Sequence, residues 1–250
     1  NSSFPLVSYL KHHQVTHLTI HYPRGRPVNF DSRYDNAIML KVILQGALMI
    51  HNISRLQDIR YWIFDMDGTL TVAKHDFAMI RKVLEVADDE DILDNLAALP
   101  KADRLARERW LAEYEYKVAK ATKAAAGAAD LLTYLAKRST HFAILTRNLH
   151  ALTEITLKAA KIAEHFPQEF IIGRDTATPK PAPDGILKLL ELWQISPQEA
   201  LIIGDHEYDL AAGKNAGITT LLINQQENIY PELADYHFTD CSALLRALRA

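Results

Sequence analysis

The sequence predicts an α/β fold, a Rossmann-like parallel sheet with helices on both faces and one inserted small helical domain. Three observations predict it. Five short, near-continuous apolar runs recur from Tyr61 onward, and each closes on polar residues. Stretches of helical character separate them, as crossovers between parallel strands require. Between the first and second runs the spacing widens and a longer helical segment intervenes.

The runs are "YWIFDM" (Tyr61 to Met66), "HFAILT" (His141 to Thr146), "EFIIG" (Glu169 to Gly173), "LIIGD" (Leu201 to Asp205) and "TTLLIN" (Thr219 to Asn224). Their Ile, Leu and Phe content lacks the alternation of a half-exposed strand and suits strands covered on both faces. The insertion, residues 75–130, holds "HDFAMIRKVLEV", an acidic connector, "ILDNLAALP" and "KADRLARERWLAEYEYKVAKATKAAA". In the last, Leu111, Tyr114, Val118, Ala121 and Ala125 fall three or four apart, which predicts the apolar stripe of an amphipathic helix. The acidic run of Glu85, Asp88 to Asp91 and Asp94 reads as a solvated helix end, with acids favoured at a helix N-terminus.

Residues 1–60 stand apart. They carry seven Lys or Arg against three Asp, a net +4, whereas the rest of this chain of net charge −3 carries −7. They contain no chemical motif, and their role is unassigned. The run Ala37 to Ile50 is shorter than a membrane span and carries Lys41 and Gln45, so it reads as a packed helix or strand segment. The expected division is residues 1–60 as an extension, 61–74 with 131–250 as the catalytic core, and 75–130 as the helical insertion.

Composition narrows the function classes. At 48% hydrophobic and 24% charged, the chain holds enough apolar material for one sizeable core with an appendage. A net charge of −3 gives no broad electrostatic footprint for nucleic acid or an anionic membrane. One cysteine, Cys241, leaves no partner for an internal disulfide and fits a reducing, cytoplasmic setting.

In an open parallel sheet, ligands bind beyond the carboxyl ends of the strands, so residues there converge from distant positions. The first run delivers Asp65 and Asp67, the second Thr146, the fourth Asp205 with Asp209 four residues on, and "TPKPAPDG" after the third brings Lys180. Carboxylates crowded together repel unless a cation joins them or one is protonated. An all-oxygen donor set favours a hard ion such as Mg2+. Thr146, Lys180 and the backbone N–H groups around Gly68 suit phosphate oxygens. Asp65 can then act as nucleophile at phosphorus, and Asp67 can move protons to and from the leaving and attacking oxygens.

These residues resemble the haloacid dehalogenase superfamily, in particular its phosphoglycolate phosphatase-like members with a small helical cap. "DMDGTL" is similar to the first motif of that family, the Thr of "ILTRN" to the second, the Lys of "TPKPAPDG" to the third and "GDHEYDLAAGKNAG" to the fourth, in the family's order over residues 61–245. The resemblance implies a Mg2+-dependent phosphatase acting on a small phosphomonoester through an aspartyl phosphate on Asp65, with Asp67 as acid and base. It implies Mg2+ ligation by the Asp65 side chain, the Asp67 carbonyl and Asp205, with Asp209 nearby or acting through water. Thr146 and Lys180, with Asn148 beside them, would bind the phosphoryl group, and residues 75–130 would be the cap. Dehalogenases of the superfamily lack the second aspartate, so Asp67 favours phosphoryl chemistry. The first motif is not followed by the Asp-Ser common in phosphoglycolate phosphatase-like members, and His206 stands where Ser is frequent, which leaves the substrate open. His75 and His206 are candidate substrate contacts. The same parts suit a sugar phosphomutase or a non-hydrolytic phospho-accepting or binding protein, as monomer or dimer.

Overall fold

In the computed structural model, residues 17–20, 28–31 and 53–250 are described. The first of two units, residues 1–56, contains an antiparallel pair that the sequence did not announce: β1 (His17–Ile20) and β2 (Val28–Asp31), with Ile20 opposite Val28. The apolar run Ala37 to Ile50 lies outside the described residues.

The second unit, residues 57–250, is built on six parallel strands. In chain order its elements are β3 (Tyr61–Phe64), α1 (Phe77–Leu84), α2 (Ile92–Ala98), α3 (Lys101–Ala121), α4 (Ala128–Ala136), β4 (His141–Leu145), α5 (His150–Ala159), β5 (Ile171–Ile172), α6 (Asp184–Trp193), β6 (Ala200–Gly204), α7 (Glu207–Ala216), β7 (Thr219–Ile223), β8 (Tyr236–Phe238) and α8 (Cys241–Arg249). All five apolar runs supply strands. The "EFIIG" strand is only two residues long, because a 3-10 turn over Gln168–Phe170 takes up its start. β8 was not anticipated, since "YHF" is three residues long, half-exposed and without an apolar run.

The strand order is β5-β4-β3-β6-β7-β8. The chain therefore builds outward from β3 on one side, returns, and builds outward from β6 on the other. The reversal makes the β3/β6 boundary the switch point, where a parallel sheet opens a crevice beyond its strand ends. Phe64 is level with both Ile144 and Ile203, so the residues following β3, β4 and β6 emerge side by side.

Alternation along the strands sends apolar side chains to both faces. Ile63, Ala143, Leu145 and Ile202 pack with Ile186 and Leu189 of α6 and Ala212 of α7. Phe64 meets Phe142 and Phe166 edge-on, at ring-centre distances of 5.9 and 6.0 Å. A buried side chain of this size stabilises by about 1.5–3 kcal/mol. α8 and α4 pack together, and the Tyr134 hydroxyl donates to the Leu248 carbonyl at 2.8 Å.

The insertion has its own small core of Ile80, Leu84, Val86, Leu96 and Leu111. Asp76 and Asp91 cap α1 and α2 by accepting from backbone N–H groups, the role expected of acids at helix starts. On α3 the buried line is Leu111, Glu115 and Ala119, rather than the apolar stripe expected from the sequence. Glu115 goes inside because Arg174 is there to pair with it, Ala121 is exposed, and Ala125 lies beyond the helix end. The connecting segments run together: Val72 N–H donates to the Lys123 carbonyl at 3.0 Å and Ala125 N–H to the Leu70 carbonyl at 2.8 Å.

Candidate active site

Asp65 follows β3 directly. Its backbone still belongs to the sheet, with its N–H 2.9 Å from the Ile203 carbonyl, so the carboxylate leaves a rigid strand at the switch point. A tight turn follows, in which Leu70 and Thr71 N–H both donate to the Met66 carbonyl at 3.0 Å. Gly68 sits in this turn at φ +89°, and a Cβ there would lie 2.4 Å from Asp205 Oδ2. Its own N–H donates to the Thr71 carbonyl at 2.9 Å, so that donor closes the turn.

Lys180 is buried, and its Nζ lies 2.6 Å from Asp65 Oδ1, 2.7 Å from the Leu145 carbonyl and 2.5 Å from Asp209 Oδ1. Asp209 is held on its other side by His206 N–H, donating to Oδ2 at 3.1 Å in a capping box at the start of α7. Gly204 makes this approach feasible, because a Cβ there would come within 2.3 Å of the Asp209 side chain. Asp205 accepts from the Thr69 hydroxyl at 2.9 Å.

One oxygen each from Asp65, Asp205 and Asp209 all lie within 4.8 Å of one another. Three carboxylates at that separation, with one lysine between two of them, leave uncompensated negative charge. Burial pushes the Asp65 carboxyl well above the usual carboxylate range; Asp209 and Asp205 push it the same way, and Lys180 offsets only part. Asp205 is raised to about 6, by burial first and by Asp209 second. Burial alone would lower Lys180, but the charges of Asp209 and Asp65 outweigh it and hold the ammonium above the usual lysine range. The donor set, three carboxylates without sulfur or imidazole, fits a hard divalent cation.

Asp67 points elsewhere. Its carboxylate is reached by the side chains of Asn148 and Thr71, and His75 Nδ1 stands 3.9 Å from its Oδ1. Burial raises its pKa, and the nearby His75 and Asn148 counter part of that. The two aspartates of the first run thus differ in their partners: Asp65 is bonded directly to Lys180, whereas Asp67 is bonded by Asn148 and Thr71, with His75 and the Lys180 charge nearby.

Thr146 and Asn148 are both buried at the end of β4. The Thr146 hydroxyl accepts from Asn148 N–H at 3.1 Å, and its own N–H donates to the Ile172 carbonyl at 3.0 Å. His206 caps α7, with Nδ1 accepting from Tyr208 N–H at 3.3 Å, and its ring lies 4.7 Å from that of Tyr208.

Several supporting residues escaped the sequence reading. Asn224 donates to the Gly68 and Thr69 carbonyls at 2.7 and 3.0 Å, which fixes the turn carrying Asp67. Gln225 donates to the Asp205 carbonyl at 3.0 Å. The only available signal for this pair was their position at the end of the fifth apolar run. Arg147 and Arg174, which reach Asp91 and Glu115 of the insertion, had none, because ion pairs between distant segments leave no local pattern.

An α/β core that gathers three carboxylates and a lysine at its switch point is an enzyme-type site on a parallel sheet. A sequence model of the haloacid dehalogenase-like hydrolases matches residues 78–223, more than half of the chain. An uncharacterized hydrolase of Saccharomyces cerevisiae is 29% identical over 209 residues, 80% of this chain and 95% of that protein. A phosphoglycolate phosphatase of Aquifex aeolicus is 29% identical over 181 residues, 66% of this chain and 84% of its own. The crystal structure of a hydrolase from Pseudomonas syringae shares the fold with a TM-score of 0.62, at 23% identity over 76% of this chain and 98% of that one. The chain belongs to the haloacid dehalogenase-like hydrolase family.

Proposed function

We propose that the protein is a Mg2+-dependent phosphatase that hydrolyses a small phosphomonoester through an aspartyl phosphate on Asp65. The observation that carries this reading is the convergence of Asp65, Asp205 and Asp209 around Lys180, with Asp67 in the following turn beside His75 and Asn148. The name of the Aquifex relative supports the substrate class.

Lys180 and the Thr146 hydroxyl bind the phosphoryl oxygens, with Asn148 beside them. An Asp65 carboxylate oxygen attacks phosphorus, a new O–P bond forms, and the bond to the leaving oxygen breaks. Asp67 enters protonated and delivers its proton to that oxygen. It then takes a proton from the water that attacks the phosphoaspartate, releasing phosphate and restoring Asp65. The Asp65 side chain, the Asp67 carbonyl and Asp205, with Asp209 alongside, would hold Mg2+, which would supply positive charge to offset the clustered carboxylates and the phosphoryl group. The helical insertion serves as a cap that excludes water from the leaving-group side.

The test is phosphate release from a panel of small phosphomonoesters with and without Mg2+. Turnover should require Mg2+ and disappear in Asp65→Asn. A folded protein that releases phosphate from none of them, or that accumulates a stable phosphoaspartate, would replace this reading with a mutase or a phospho-accepting role.

A further inference from the structure

Arg147 follows Thr146 at the end of β4, and its side chain meets three other parts of the molecule. Nη2 lies 2.7 and 2.6 Å from the two carboxylate oxygens of Asp91, the residue that caps α2 of the insertion. Nη1 donates to the backbone carbonyl of Lys180. The guanidinium also lies 4.6 Å from the centre of the Tyr208 ring, one residue before Asp209 on α7. Both members of the ion pair are largely withdrawn from solvent, with 25% and 18% of the Arg147 and Asp91 side chains exposed.

A planar guanidinium can serve two acceptors at once in a fixed fork, which a lysine cannot do. Here one acceptor belongs to the insertion and the other to the backbone of the lysine that bridges Asp65 and Asp209. A second ion pair joins the same two parts: Arg174 to Glu115, 2.8 Å at each of two contacts. Arg174 reaches the Arg147 carbonyl at 2.8 Å and makes no bond to the Lys180 loop. The two pairs are therefore not equivalent.

We infer that Arg147 is a positioning residue that ties docking of the helical insertion to the placement of Lys180. With Asp91 in place, the guanidinium is held where it holds the Lys180 carbonyl. When Asp91 is withdrawn, the guanidinium loses its charge-assisted partner and the carbonyl loses its donor. Lys180 is then set for the reaction only while the insertion is seated. The kinetic part of this inference rests on reading Lys180 as the phosphoryl-binding lysine.

The test uses the full chain and two readouts. The first is the labelling of Lys180 by a short pulse of acetic anhydride, read by mass spectrometry, which needs no catalytic activity. Asp91→Asn keeps a good cap for α2, since Asn and Asp cap equally well, but removes the charge that holds Arg147. Arg147→Lys keeps the charge and loses the fork. Lys180 labelling should rise several-fold in both variants and clearly less in Glu115→Gln, which leaves Arg147 its fork to Asp91 and the Lys180 carbonyl. On a turned-over phosphomonoester, kcat should fall by between about tenfold and a hundredfold in the same two variants, the scale of an ångström-sized misplacement, with KM less affected. Unchanged labelling in both variants, or an equal rise in Glu115→Gln, overturns the inference. Absence of turnover in the unaltered protein would count against the phosphatase reading alone, because the labelling still decides the role of Arg147.

Discussion

The Lys180 ammonium sits 2.6 Å from Asp65 Oδ1 and touches Asp209 on its other side, so one buried cation serves two buried carboxylates, one just past the end of β3 and one on α7. The arrangement is costly to break from one side, because each survivor keeps its desolvation penalty and loses its partner. Lys180→Met should therefore abolish phosphate release and destabilise the metal-free protein by about 3–5 kcal/mol, read by urea denaturation. Combining it with Asp209→Asn, which removes one of the stranded charges, should recover part of that loss without recovering activity. A Lys180→Met protein as stable as the parent would show that the lysine carries no net structural load.

Much of this site was legible because the chemistry sits at strand ends. A buried parallel strand has a continuous apolar signature, and the polar residue closing it is easy to locate. That logic points to Asp65, Asp67, Thr146, Lys180, Asp205 and Asp209, and the family pattern matches the same residues. The shape of the insertion was harder. The buried line on α3 includes Glu115, which an apolar periodicity cannot include, and its partner Arg174 lies in a separate loop. Asp91 is a helix-end acid as expected, but it is not solvated: it pairs with Arg147, a partner that depends on tertiary placement. β8 was missed because an edge strand of three half-exposed residues has no burial pattern to read.

Binding of Mg2+ should depend on pH in a defined direction. In the metal-free protein Asp205 is raised to about 6, so its protonated form is the one the fold favours. Its contribution to stability is present below the ordinary aspartate range and is lost as pH rises through about 6. Above about pH 6 the Asp205 carboxylate carries its charge beside the Asp65 and Asp209 side chains, and a divalent ion placed among them relieves that crowding. The rise in Tm on adding Mg2+ should therefore be larger near neutrality than at about pH 5, where the ion must displace a proton. Calorimetry in two buffers of different ionisation enthalpy would show that proton release. Equal Tm shifts at both pH values would contradict the placement of Asp205 at the ion.

The turn after Asp65 has little tolerance. Gly68→Ala would combine a positive φ with a Cβ only 2.4 Å from Asp205 Oδ2. The conformational part costs about 1–2 kcal/mol. The close contact must also be relieved by moving Asp205, since its neighbour is a turn fixed by Asn224. The expected result is a modest loss of stability with a larger loss of Mg2+ affinity, measured by urea denaturation and by metal titration. A variant that loses stability alone would place Asp205 away from the ion.

The Arg174–Glu115 pair gives a prediction for the insertion itself. Both guanidinium nitrogens approach the carboxylate at 2.8 Å, and the side chains are only 12% and 8% exposed. At that burial, the attraction between the charges is set against the cost of taking both out of water, so the pair contributes little compared with two well-packed apolar residues. Removing one partner is different, because it strands a charge in the same place. Glu115→Ala should cost about 3–5 kcal/mol, whereas the double variant Glu115→Leu with Arg174→Met should recover most of it. Single and double variants measured by urea denaturation form a cycle whose coupling energy should be large and favourable. The double variant also tests specificity: if its stability returns while kcat stays low, the ion pair orients the insertion, and packing alone does not replace it. If Glu115→Ala costs less than about 1 kcal/mol, the pair behaves as a solvated surface contact and α3 docks through its apolar residues.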